Sequence, residues 1–302
     1  MKSKGHSQGI MWVVIAGLMF VAVTVLVRHL GSDLPAVQAA FIRYGFGLLL
    51  LIPAILKMSF GTMTFPKVKL YVLRGLAHGM AVMLWFFAMA RIPIAEVTAI
   101  GYTTPIFTAL GAILIFGERI RFRRILAIII GFFGTLIILR PGFNEISMGS
   151  LAQLGAAPCF AISFLFAKKL TRTEQSGDIL VMLTIFCTLT LLPGALMQWR
   201  TPQIDELLWL ALVAVFATAG HYALTRAFAA APLTVTQPFA FLQLVWAIIF
   251  GFLLFGEVPD IWVVVGGSII VASITYLTHR EAVADRKLQS RSGETVSSRM
   301  SR

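Results

Sequence analysis

The sequence predicts an all-α membrane protein of ten transmembrane helices built from two inverted five-helix repeats, and three observations carry that expectation. Of the 302 residues, 58% are hydrophobic and 13% charged, whereas soluble domains run at about 25% charged. With a mean hydropathy of +0.88, the chain has more apolar surface than a water-soluble fold could hide. Its apolar residues fall into ten stretches of roughly 18 to 25 residues, the length a helix needs to cross about 30 Å of hydrocarbon at about 1.5 Å per residue. The third observation is a match of the chain to itself at a constant offset of 139 residues.

The expected spans run in order from the N-terminus. Span one, 9–28, follows a short basic start, Lys2 and Lys4. It continues into Arg28 and His29, where a secretory leader would carry a small-residue cleavage site, so it is expected to be retained. Span two, 36–56, contains Arg43, and span three, 70–90, contains His78 and the run Trp85-Phe86-Phe87. Span four, 93–117, opens on Pro93 and is followed by Glu118, and span five is 123–139. Spans six, seven and eight are 149–168, 179–198 and 207–228, the last with His221; spans nine and ten are 232–256 and 260–278. The connections leave no room for a soluble domain, so the bundle itself must carry the activity. The first repeat is expected over 9–140 and the second over 149–278. Residues 279–302, polar and rich in Ser and Arg, read as a disordered cytoplasmic tail able to adhere to anionic lipid.

The offset of 139 sets Pro93 on Pro232, Leu114 on Leu253, and Phe116, Gly117 and Glu118 on Phe255, Gly256 and Glu257; it also sets the start of span one on the start of span six. Five crossings is an odd number, so the second copy must enter the membrane from the opposite face. Such inverted repeats are related by a pseudo-two-fold axis in the membrane plane and offer two near-equivalent packings, one open to each side, as alternating access requires.

The net charge of +12 is a matter of topology. With ten spans, 19 of the Lys and Arg residues lie on the side of the termini and four on the other (Arg28, Arg91, Arg140, Arg200), while Arg43 and Arg74 lie inside spans. The positive-inside rule places both termini in the cytoplasm. It makes GERIRFRR, at 117–124, a topology anchor, so no nucleic-acid partner is expected. Cys159 and Cys187 both lie in apolar stretches and read as inert thiols, neither a disulfide nor a metal pair.

RIPIAEVTAIGYTTPIFTALGAILIFGERIRFRRILAIIIGFFGTLIILRPG in the first half and GHYALTRAFAAAPLTVTQPFAFLQLVWAIIFGFLLFGEVPD in the second resemble the ten-helix EamA branch of the drug/metabolite transporter superfamily. The likeness covers nearly all of the chain except its tail. It implies a bacterial inner-membrane permease or exporter of small organic solutes, such as amino acids, S-adenosylmethionine or riboflavin, without fixing cargo or direction.

Ten residues are candidates for the transport path. Arg43, roughly 10 Å into span two, is either a counter-charge for a carboxylate or phosphate-like group, or a structural cation bonded to helix carbonyls or snorkelling outward. The repeat pairs Tyr102 with Phe241, Thr104 with Gln243 and Phe107 with Trp246. Residues 98 and 102 share one helix face and 104 and 107 another, so one set at most lines a cavity. Gln243 and Trp246 suit stacking and hydrogen bonding of an amphipathic solute; ordinary interhelical packing is their other use. Trp85 reads as an interfacial belt residue or a substrate-facing wall. His221 and His78 are membrane-depth histidines, open to proton relay or to plain hydrogen bonding between helices. Glu96 is open to a proton or cation role or to a hydrated interfacial one. Glu118 and Glu257 read as helix-end residues pairing with Arg or backbone groups, and the glycines of 131–134 and 266–268 as close helix contacts, with a homodimer face among their uses.

No G-x-x-x-x-G-K-[ST] loop occurs in the sequence, so ATP is not expected to drive the process internally. No catalytic, metal or cofactor residues are expected; the partners are a small-molecule substrate and the lipid bilayer. An integral-membrane enzyme acting on a lipid or isoprenoid head group is the rival reading. It would need clustered Asp, His or Lys at the surface, and the five histidines are dispersed. A channel would need a charged ring or a filter loop. The aromatic content of the candidate cavity residues favours a flat or amphipathic metabolite, such as a flavin, a nucleoside-like compound or an aromatic amino acid.

Overall fold

A computed structural model of the chain describes residues 2–58, 64–116, 122–140, 146–171, 173–230 and 242–276, together with 239 and 279. Among these residues there is no strand. The helices are α1 (Lys2–Leu30), α2 (Ala36–Leu50), α3 (Ile52–Lys57), α4 (Phe65–Met89), α5 (Ile94–Gly101), α6 (Thr104–Phe116), α7 (Phe122–Leu139), α8 (Met148–Leu170), α9 (Ser176–Met197), α10 (Ile204–Ala230), α11 (Leu242–Phe255) and α12 (Ile261–Tyr276). Within α1, α4, α8, α9 and α10 lie segments long and apolar enough to cross a membrane unaided. Leu56, Leu208, Leu253 and Ile261 remain exposed, as a lipid-facing surface requires.

Two expected spans are broken. Span two divides after Leu50, because Pro53 has no N–H for the Leu49 carbonyl and its ring cannot continue the turn; a second short helix carries that proline in its first turn. Span four divides between Gly101 and Thr104 for the same reason, Pro105 facing the carbonyl of Gly101. The break is held by the Thr103 hydroxyl, which donates to Ile100 O at 2.7 Å, and by the Leu244 N–H of α11, which donates to the Tyr102 hydroxyl at 2.9 Å.

The packing carries the inverted symmetry. The most extensive interfaces are α1 with α10 and α4 with α8, the first with eighth and third with sixth spans, which a five-span shift exchanges. Both run antiparallel. Trp12 meets Tyr222 where His29 meets Trp209, and His78 meets Ser163 where Ile92 lies against Gly149. The remaining spans pair on the axis itself: α2 with α9, α5 with α11, and α7 with α12. The α7–α12 crossing depends on glycines, since a Cβ at Gly134 would lie 2.8 Å from Gly266 O and one at Gly266 would lie 2.5 Å from Gly134 O. These glycines of 131–134 and 266–268 thus serve contacts inside one chain, and the exposed Phe132, Phe133 and Leu136 form the other side of α7.

The near end of the bundle is where α1 begins, and the far end is where α1 finishes.

Candidate functional site

Four helices exchanged by the repeat, α1, α4, α8 and α10, converge on a set of rings at mid-depth. Phe20 of α1 meets Trp85 of α4 edge-on at 6.5 Å and His221 of α10 at 5.1 Å. His78 meets His221 at 5.3 Å and Phe160 of α8 at 5.1 Å, while Phe160 meets Trp85 at 5.9 Å. Phe164 stacks on Phe160 at 6.0 Å. Phe20, Trp85, Phe160 and His221 meet across the four helices and each stays partly accessible, and this ring-lined region is the candidate chamber. Pro158, two residues before Phe160, has no N–H for the Leu154 carbonyl within an otherwise continuous α8.

One side of this chamber is cationic. His78 holds Ser163 through Nδ1 at 3.0 Å, and its Nε2 is buried with no hydrogen-bond partner. Arg43 lies over the ring of Tyr44 with its guanidinium carbon 4.0 Å from the centroid. Arg74 donates from Nη1 to Ile179 O at 3.0 Å, and its Nε is buried without a partner. Both guanidinium groups are within electrostatic reach of both imidazoles and of Cys187. Cys187 packs on Gly75 O at 3.6 Å, and both cysteines are free.

The far end is tied shut by polar contacts. Glu257, just past α11, accepts from Arg28 Nε at 3.0 Å and from the Ile94 N–H at 2.9 Å, and so joins α1, α5 and α11. Gly256 before it is left-handed (φ +64°) and closes the helix through its N–H to Phe252 O. The expected helix-end role of Glu257 is what the structure contains; Glu118 lies outside the described residues. Arg140 pairs with Asp260 and Arg200 with Glu206. Gln38 Nε2 donates to Arg200 O at 2.5 Å, and its amide oxygen accepts from Arg200 N. A cavity of about 190 Å³ at this end is bordered by Glu96, Ser150, Arg140 and Asp260, and Ser150 Oγ donates to Glu96 at 2.6 Å. At the near end Lys67 Nζ reaches Glu174 at 2.7 Å, and this hydrogen bond holds the Glu174 carboxyl below its ordinary range. Arg226 lies beside the rings of Trp12 and Tyr222.

The candidate residues therefore separate. Arg43, His78, Trp85 and His221 come together at the chamber. Trp85, expected at an interface or a cavity wall, faces inward between Phe20 and Phe160. Gln243 lies against Gly17 of α1, and Trp246 packs with Val21 and Ile94, its Nε1 buried and unpartnered. Tyr102 and Thr104 flank the break in span four, Phe107 meets Phe132 of α7 at 6.2 Å away from the chamber, and Glu96 belongs to the far end. Phe20, Phe160, Phe164 and Arg74 were not singled out in advance. The three phenylalanines look like any others in apolar stretches; Arg74, a charge inside a span, was the available signal.

The model of the EamA-like transporter family matches residues 7–140 and again 147–278. The chain belongs to the EamA-like transporter family. This EamA protein is thus a member of a transporter family and is not read as an enzyme. It is 29% identical to the riboflavin transporter of Vibrio cholerae over 297 residues, covering 95% of this chain and 98% of that one. It is 28% identical to an S-adenosylmethionine uptake transporter of Rickettsia bellii, with 94% and 98% covered. It is 30% identical to the riboflavin transporter of Rhizobium johnstonii, with 92% and 93% covered. A crystal structure described only as "Crystal structure of protein" superposes with a TM-score of 0.60 at 17% identity, over 93% of the EamA chain and all of the other, and shows the shared fold.

Proposed function

We propose that this protein is a secondary transporter that carries a small, ring-bearing organic metabolite across the bacterial inner membrane by alternating access. The chamber supports the reading more than any other feature: inward-facing rings on four helices that the inverted repeat exchanges. Rocking one pair against the other would open the same rings to either side. The cargoes named for the relatives, riboflavin and S-adenosylmethionine, each contain a fused ring system, and stacking against Phe20, Trp85 and Phe160 is the interaction such a ring would find.

In this reading Trp85, His78 and His221 contact the cargo and Arg43 supplies charge beside it. Gln243 and Trp246 fit the wall between α1 and α11, and Tyr102 and Thr104 fit a hinge at the break of span four. Phe107 takes no part, and Glu96 serves far-end closure. The distribution of Lys and Arg favours a cytoplasmic near end, with both termini there. All of the rings come from one chain, so the reading needs no second copy.

Uptake by purified protein in liposomes tests this with radiolabelled riboflavin, S-adenosylmethionine and tryptophan. One of the three is expected to accumulate, and Trp85→Ala is expected to slow its entry at least about tenfold while leaving folding intact. Entry of small aliphatic solutes alone, or rates unchanged by both Trp85→Ala and Phe160→Ala, would sink the chamber. Turnover of a lipid head group without any uptake would favour the membrane-enzyme reading.

A further inference from the structure

Arg43 and Arg74 lie at membrane depth, 4% and 7% exposed. A cation there is costly unless something pairs with it, and among the described residues no carboxylate does so. Asp33, Glu96, Asp205, Glu206, Glu257 and Asp260 all sit at the far end. Glu174 and Asp178 flank the start of α9, at the near end, and although Asp178 adjoins Ile179 no ion pair joins it to Arg74. Arg74 satisfies one nitrogen on a backbone carbonyl, a neutral acceptor that leaves its charge uncompensated, and its Nε has no partner. His78 Nε2, in the same cluster and 1% exposed as a residue, has no partner either, and it is a donor when Ser163 Oγ donates to Nδ1. Arg74 lies one turn from His78 on α4, both guanidinium groups are within electrostatic reach of His78 and His221, and His78 in turn meets the rings of Phe160 and His221.

We propose that Arg43, Arg74 and His78 form an oxyanion subsite, so that the cargo is a planar ring bearing a carboxylate or phosphate group. The ring lies between Phe20, Trp85 and Phe160, and the oxyanion replaces the counter-ion that the helices omit. Arg is suited to this because its planar fork meets the paired oxygens of either group at two points. A neutral ring of equal size would leave both cations without a counter-charge, so among the uptake probes the carboxylate-bearing tryptophan and S-adenosylmethionine fit the subsite and riboflavin does not. The proposal deepens the transport reading above and depends on it for the place of the ring.

Binding to the purified protein in detergent, followed by tryptophan fluorescence, tests the subsite independently of transport. Two pairs of probes differ only at the charged group: flavin mononucleotide against riboflavin, and indole-3-acetate against indole-3-acetamide. In at least one pair the charged member is expected to bind at least about tenfold more tightly. Arg43→Gln and Arg74→Gln should each erase most of that ratio, and Arg43→Lys should restore part of it, with the neutral member's affinity unchanged. The wild-type ratio requires no variant to fold. Charged members binding no better than their neutral partners, including the case in which no probe binds, overturn the proposal, as does a ratio that survives both Gln variants. If the ratio holds but nothing is transported, the transport reading fails and the subsite stands. If a neutral solute is transported without the ratio, the subsite fails alone.

Discussion

At the scale of single residues, four large side chains, Phe20, Trp85, Phe160 and His221, bring α1, α4, α8 and α10 into contact. Gly75, next to Arg74, makes the reverse point. A Cβ there would lie 2.2 Å from the Phe186 Cβ and 3.1 Å from its backbone carbon, so α4 and α9 touch only because this side chain is missing. Gly75→Ala is expected to destabilise the protein by roughly 1–3 kcal/mol and to displace Arg74 from its Ile179 carbonyl. A lowered unfolding temperature in detergent together with a loss of charged-probe binding checks this. His221 contacts Phe20 and His78 edge-on and no carboxylate among the described residues. His221→Phe should therefore keep the fold and lower affinity for a polar ring more than for an apolar one.

At the scale of elements, the ends of helices decide which side is closed. Glu257 ties α1, α5 and α11 together through its carboxylate, and these polar contacts must break before the far end can part. Glu257→Gln removes its charge from the Arg28 pair and weakens the cap on Ile94. In a protein lacking native cysteines, a cysteine placed at Val25, packed under this contact, is expected to react several-fold faster with a maleimide applied from the far side in the Gln variant; equal rates would show that the contact does not gate. The near-end pair Lys67–Glu174 has its own pH signature. Glu174 titrates below its unfolded value of about 4.3, because Lys67 favours the ionised form. The stability it adds is present above that value and is lost as pH falls through the lowered folded value. Unfolding temperatures measured from pH 6 to pH 3 should fall more steeply in wild type than in Lys67→Gln. The difference should be small, since a partly exposed pair at the bundle surface contributes about 1 kcal/mol or less.

At the scale of the whole molecule, exchange of α1–α10 with α4–α8 makes the transporter a device with two similar packings, and locking one packing should stop it. Cross-linking Arg28→Cys to Glu257→Cys with a short bismaleimide is expected to abolish uptake in liposomes while leaving ring binding from the near side intact. Normal uptake by a fully cross-linked sample would mean that the far end need not open.

The amino-acid sequence by itself determined the class, the ten spans, their inverted duplication and the family resemblance, because hydrocarbon thickness, period and offset are properties of a line of residues. It also carried Arg43, His78, Trp85 and His221, since charge and imidazole at membrane depth stand out against an apolar background. Prolines 53 and 105 were visible, and the breaks they cause in spans two and four could have been read there. Only the tertiary structure decided that Trp85 turns inward, that Phe107 turns toward α7, and that Phe20, Phe160 and Arg74 join the histidines. The physical reason is that every face of a helix in a lipid bundle is apolar. Periodicity therefore cannot separate a ring facing lipid from one facing its partners, and only the contacts among four non-adjacent helices select which rings meet.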